Sequence, residues 1–145
     1  MKEIVELLKD EIKYFKKLKS AIGNIHGHIH SLAVKTAQIH LAGKYPEAKT
    51  WQVSEKYGGG IDIIGISDNG KMIVAAEVKT TARSEKETLG SQQRSKIRND
   101  IDKLLEIDAE HKYLFIIDNK NRKAIEAILK SNQGTDIDLV NIFEC

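Results

Sequence analysis

Three charged residues stand where buried strands are expected. Asp62 interrupts the apolar run Ile61-x-Ile63-Ile64, and Glu77 and Lys79 close the run Ile73-Val74-Ala75-Ala76. Side chains alternate along an extended strand, so Glu77 and Lys79 share one face while Ala76 and Val78 share the other. Between the runs lies Asp68-Asn69-Gly70, a tight-turn signal. The two runs therefore form a hairpin that brings Asp62 beside Glu77 and Lys79. Two carboxylates and an ammonium at one end of a buried sheet cost free energy unless they bind something. A carboxylate pair with few protein partners suits Mg2+, which takes one or two carboxylates and keeps several waters. A lysine beside such an ion orients or deprotonates an attacking water, or stabilises charge on a phosphoryl oxygen. Those parts describe metal-dependent phosphodiester hydrolysis. The competing reading of the same trio is a salt bridge at a sheet edge.

The elements that must position these residues follow from periodicity. Lys2 to about Lys19 predicts an amphipathic helix, with Ile4, Leu8, Ile12 and Phe15 at helical spacing. Gly23 and Gly27 bracket a polar connector containing His26, His28 and His30, and Ser31 to about Ala42 predicts a second helix with Gly43 as its stop. Thr50–Glu55, Ile61–Ser67 and Met72–Lys79 predict three strands. Residues 80–91 read as a loop, with Ser91 as N-cap of a helix from about Gln92 to Ile107. Tyr113–Ile117 has the continuous apolar character of a buried strand. A helix from Asn121 to about Lys130 and a strand Ile137–Phe143 complete the chain. A hairpin followed by β-α alternation predicts one α/β domain over residues 1–145, a mixed sheet with helices on both faces. The helix of residues 1–20 lies outside that core.

Ile61-Asp62, fourteen intervening residues, then Glu77-Val78-Lys79 resembles the signature of the PD-(D/E)xK nuclease superfamily, which includes restriction endonucleases and archaeal Holliday junction resolvases. The element order over roughly residues 28–118 is similar to that superfamily's αβββαβ core, a restriction endonuclease-like three-layer fold. The resemblance implies that Asp62 and Glu77 bind Mg2+, with Mn2+ able to substitute. It further implies that the Val78 carbonyl is a third ligand and that Lys79 assists the attacking water. Isoleucine, not proline, precedes Asp62. Many members carry a glutamate on the helix before the first core strand, whereas residues 20–46 hold no Asp or Glu. A second metal site would thus need Glu55, Glu6 or Glu11, and a histidine of the connector could instead take that glutamate's place near the scissile phosphate.

The helix after the hairpin adds candidates. With Ile97 at zero and 100° per residue, Gln93 falls at about −40° and Arg94 at about +60°, inside the Ile101/Leu104/Leu105 stripe. Some members of the superfamily, especially the RecB-like nucleases, place a glutamine at the start of this helix near the active site, which implies the same for Gln93. Arg94, Lys96 and Arg98 form a short acid-free basic run suited to DNA phosphates. Both sets also read as solvated first-turn residues. His-x-His-x-His lacks a further ligand at metallohydrolase spacing. Gly58-Gly59-Gly60 lacks the Lys-Ser/Thr and helix of a P-loop and reads as a flexible turn. Trp51 reads as core or a sheet-edge contact.

Composition narrows the class without choosing the partner. The chain has 23 Lys+Arg against 21 Asp+Glu, a net +2, so bulk charge does not announce nucleic acid. No run approaches the ~20 apolar residues of a membrane span. One cysteine, Cys145, suits a reducing cytoplasm. The expected activity is a cytoplasmic, Mg2+-dependent DNA endonuclease, restriction-like or resolvase-like, against a nucleic-acid-binding module of the same fold that has lost catalysis. Cutting both strands of a duplex with so small a chain calls for a homodimer. The N-terminal helix is the candidate for its contact or for lining a DNA groove.

Overall fold

From Lys2 to Lys44 the sequence contains no proline, and it forms one uninterrupted helix, α1. This corrects the two-helix reading. Breaking the helix at Gly23 and Gly27 would orphan four backbone donors and four acceptors at the new ends, whereas each interior glycine costs only about 1 kcal/mol relative to alanine. Nothing packs within 4 Å of either glycine's missing Cβ. Gly43 does not stop the helix either. The stop falls just before Pro46, which cannot continue it, and Lys44 closes the last turn at the negative end of the helix dipole.

The computed structural model describes residues 2–54, 60–80 and 89–145, with side chains from residue 9 onward. Glu55, Gly58, Gly59 and most of the 80–91 loop lie outside the described residues, as do the side chains of Ile4, Glu6 and Leu8. After α1 come β1 (Thr50–Val53), β2 (Ile63–Ile66), β3 (Met72–Lys79), α2 (Ser91–Glu106), β4 (His111–Ile116), α3 (Arg122–Ser131) and β5 (Ile137–Asn141). Three single-turn 3-10 segments occupy 119–121, 134–136 and 142–144. Gly90, not Ser91, is the N-cap of α2, and no side chain caps it. Asp62 sits just before β2 rather than within it. The described helices include none long and apolar enough to cross a membrane.

The strands form one mixed sheet in the order β1-β2-β3-β4-β5. The first three are antiparallel and the last two continue parallel from β3. The β2–β3 turn carries Gly70 at φ +80°, a conformation that glycine adopts without Cβ strain. Alternation then splits the core into two layers. Val74, Ala76 and Val78 of β3, with Tyr113 and Phe115 of β4, pack against Val34, Ala37 and Leu41 of α1. Ala75, Leu114 and Ile116 pack against Ile97, Ile101 and Leu104 of α2 and Ile125 and Leu129 of α3. The helices therefore cover both faces, as the hydrophobic pattern predicts.

Among the described residues of α1, those buried in this core begin at His30. The last turns of α1 are anchored by Tyr45, whose hydroxyl lies 2.5 Å from that of Tyr113, and Lys44 donates to the same Tyr113 oxygen at 2.7 Å. Trp51, half-buried on the edge strand β1, stands opposite Gly65 of β2. A Cβ at Gly65 would come within 2.7 Å of Val74 Cγ1 and 2.9 Å of the Trp51 ring. Gly65→Ala should therefore lower the unfolding free energy by about 1–3 kcal/mol, as overpacking does. Urea denaturation followed by Trp51 fluorescence measures it, and Val74→Ala in the same chain should restore part of the loss.

Candidate active site

Among the described residues, the sheet buries charge on its α2 side at the outer end of β3. Alternation turns Glu77 and Lys79 toward α2, together with Ala75. Glu77 is 3% exposed and Lys79 is half-buried. Helix α2 answers with Asp100, which lies one helical turn beyond Ile97 on the buried stripe and is itself 6% exposed. The Lys79 ammonium pairs with Asp100 Oδ2. Lys103, one turn further on, lies 3.4 Å from Asp100 Oδ1 and 3.9 Å from Glu77 Oε1. The partner of Lys79 is thus Asp100 and not Glu77, so a simple Glu77–Lys79 edge bridge is not what forms.

Asp62 enters from the neighbouring strand's beginning. Its Oδ2 accepts the Val78 backbone N–H at 2.8 Å, so the side chain extends the β2–β3 ladder past the last backbone pair. What the structure assigns to Val78 is this amide donor. Asp62 Oδ1 lies 3.8 Å from His30 Nε2 on α1. Unbroken helix explains why His30 alone of the three histidines reaches the site. His30 falls in register with Val34, Ala37 and Leu41 on the buried face, while His26 and His28 are exposed. On a helix His28 points away from His30, since 200° separates alternate residues, and His26 lies a full turn nearer the N-terminus, where it is exposed. Glu11 is exposed and, at about 1.5 Å per residue, about 28 Å along the helix from His30. It cannot serve a second metal site here.

The electrostatics follow from the count of charges. Asp62, Glu77 and Asp100 supply three carboxylates against the two ammoniums of Lys79 and Lys103. Burial, then the nearby charges of Asp62 and Asp100 and a hydrogen bond with Asp62, raise the Glu77 pKa to about 9, and Lys103 offsets this only in part. A proton on Glu77 leaves two negative charges against two positive. Among the described residues Glu77 Oε1 has no hydrogen-bond partner. A divalent cation held by Asp62 and Glu77 would displace that proton and leave the cluster with one net positive charge. Among the described residues no group of three or more His, Cys, Asp and Glu is arranged to hold a metal ion. Asp62 and Glu77 are instead a pair, which is the number of carboxylates that Mg2+ commonly takes.

The remaining candidates divide between two surfaces. Gln93 is half-buried and lines, with Lys79, Lys96, Asp118 and Asn121, a cavity of about 50 Å³ beside the lysine. Its Oε1 is buried without a hydrogen-bond partner among the described residues. Arg94 is exposed rather than core-facing, because it lies in the first turn, where its Nε donates to the Leu89 carbonyl at 3.1 Å. Arg94 and Arg98 line the groove between α2 and α3. Lys96 alone of the basic run borders the Lys79 cavity.

Sequence reasoning missed Asp100 and Lys103. The same wheel that selects Gln93 at about −40° puts Asp100 at about −60°, beside it at the margin of the apolar stripe, so the signal was present. His30 carried no such signal while its segment was read as a connector. Comparison with protein-family models, curated proteins and solved structures yields no match.

The Glu77 proton makes a signed prediction. Its pKa is raised on folding from about 4.5, so below pH 4.5 the group is neutral in both states. Between pH 4.5 and about 9 the folded protein binds more protons than the unfolded one, and stability falls as pH rises. Glu77→Gln should therefore be more stable than wild type at pH 8, by several kcal/mol at about 1.4 kcal/mol per pH unit, with the gap closing toward pH 4.5. Urea melts at both pH values check it; a gap independent of pH would show that Glu77 is ionised in the fold.

Proposed function

We propose that the protein is a divalent-metal-dependent deoxyribonuclease, built on a restriction endonuclease-like α/β core and hydrolysing phosphodiester bonds. The observation that carries this reading is the meeting of Asp62, Glu77 and Lys79 at one buried sheet end, with Asp100 and Lys103 closing the charge around them. A structural ion pair needs one carboxylate and one ammonium. Here a second and third carboxylate are buried with it, a costly arrangement for stability alone.

In this reading Asp62 and Glu77 hold Mg2+. When bound, the ion supplies a lowered pKa for a coordinated water and neutralises charge on the phosphate. Asp62 keeps its orientation through the Val78 amide, so only Oδ1 is left to turn toward a ligand. Lys79 donates to a phosphoryl oxygen and stabilises the charge that develops there, and Asp100 is the positioning residue that holds the ammonium at the sheet end. Hydrolysis adds water across one P–O ester bond, and the departing oxygen takes up a proton. Gln93 and Lys96 line the cavity next to Lys79, and in this reading they meet the sugar-phosphate backbone.

The test is incubation of the protein with linear, supercoiled and four-way-junction DNA, in Mg2+, in Mn2+ and in chelator. Cleavage that requires the cation is expected, and the preferred DNA form separates restriction-like from resolvase-like action. Asp62→Asn should abolish it with the fold intact, since asparagine still accepts the Val78 N–H. Salt-sensitive DNA binding with no cleavage in either cation would replace the enzyme with a binding module.

Lys79→Met distinguishes chemistry from scaffolding. Single-turnover cleavage per folded molecule should slow by ~10²–10³, the typical loss for one transition-state electrostatic contact. A rate within about threefold of wild type would reject the catalytic role.

A further inference from the structure

One face of α1 remains unexplained by the core and by the carboxylate site. Phe15, Ile22 and Ile29 recur every seven residues, and Leu18, Ile25, Leu32 and Ile39 recur every seven on the adjacent line. Together they make alternating steps of three and four, the a and d positions of a heptad repeat, and Thr36 completes the a series. All of these residues are exposed: Leu32 by 65%, Ile39 by 71%, Phe15 by 61%. The buried face of the same helix, through His30, Val34, Ala37 and Leu41, points elsewhere. Gly23 and Gly27 fall at outer positions of the repeat, so they leave the seam unbroken.

We propose that this stripe pairs with the same stripe of a second copy of the chain, as a parallel two-stranded coiled coil. The observation stands on the helix surface and does not depend on the nuclease reading. Three features favour a second copy. A repeat of 3.5 residues, kept from Phe15 to Ile39, matches another supercoiling helix, because a straight helix lying on a flat surface drifts away from it by ~20° per heptad. The large apolar side chains exposed along α1 present on the order of 1,000 Å², against ~800 Å² per partner in a standard interface. The flanking positions are also self-compatible. Residues 12–46 contain no carboxylate, so the flanks of the stripe must keep cations apart rather than pair them. The in-register parallel pairing sets Lys19 against the partner's Tyr14, His26 against the partner's Ala21, His28 against the partner's Ala33 and Lys35 against the partner's His40, so no lysine meets a lysine. The Thr36 hydroxyl donates to the Leu32 carbonyl at 2.9 Å, so it enters the seam already satisfied.

Light scattering on the full-length protein at micromolar concentration should give twice the chain mass. Ile22→Glu with Ile29→Glu should halve that mass. Both positions are exposed in the protomer, so circular dichroism and the Trp51 signal should show the α/β core retained. Orientation is read by cysteine cross-linking in a Cys145→Ser background. Under mild oxidation Ile25→Cys should become a covalent dimer, whereas Lys17→Cys, at an outer position, should remain monomeric. A monomeric wild type, a dimer that survives both glutamates, or failure of Ile25→Cys to cross-link would each overturn the proposal. A monomer that instead binds phosphatidylglycerol vesicles would do so as well, and would give the stripe to a lipid surface. None of these readouts involves nucleic acid or metal, so their failure leaves the nuclease reading to its own test.

Discussion

Buried charge on a central strand must be matched, and much of this molecule is arranged around that requirement. Strand β3 pairs on both sides and is covered on both faces, yet it ends in Glu77 and Lys79. Burial keeps water from Glu77 and from much of Lys79, so their partners come from the protein. Asp100 and Lys103 supply them from the buried side of α2, and Asp62 arrives from the start of β2, held by the Val78 amide. The three carboxylates still outnumber the two ammoniums, and the proton that Glu77 retains is the remainder. With that proton in place, two carboxylates and two ammoniums balance.

The layering of the fold follows from the same strand. Even-numbered residues of β3 from Val74 to Val78 face α1, and the odd ones from Ala75 to Lys79 face α2 and α3. Lys79 and Glu77 therefore meet the helix that follows the hairpin. Asp62, at the strand's margin, lies between that layer and His30 of α1. Elements from both sides of the sheet thus converge at one end, and a shift of β3 by one residue would put the charges against the wholly apolar packing of α1.

Helix α1 plays two parts that its sequence keeps apart by angle. Its C-terminal half is core, clamped by the Tyr45–Tyr113–Lys44 cluster, while the apolar stripe on another face stays in solvent along most of the helix. Such a helix is longer than the domain needs, and its length is what makes a heptad seam possible.

The sequence by itself determined the strands, the hairpin and the two-sided burial, because period-2 alternation and a strong Asp-Asn-Gly turn are local signals. Asp62, Glu77 and Lys79 were legible for the same reason, since charge in an apolar run stands out without any tertiary information. Gln93 was legible from one turn of a helical wheel, and Asp100 could have been. Only the tertiary structure decided that residues 2–44 are one helix. Two glycines and a polar segment weaken helix propensity locally, but docking of the 30–45 half overrides a cost of about 1 kcal/mol per glycine. That decision put His30 beside Asp62 and sent His26 and His28 into solvent. It also fell to packing to give Lys79 its partner. Alternation names the face on which a side chain lies, but which helix residue stands opposite depends on how α2 crosses the sheet, and no local pattern encodes that distance.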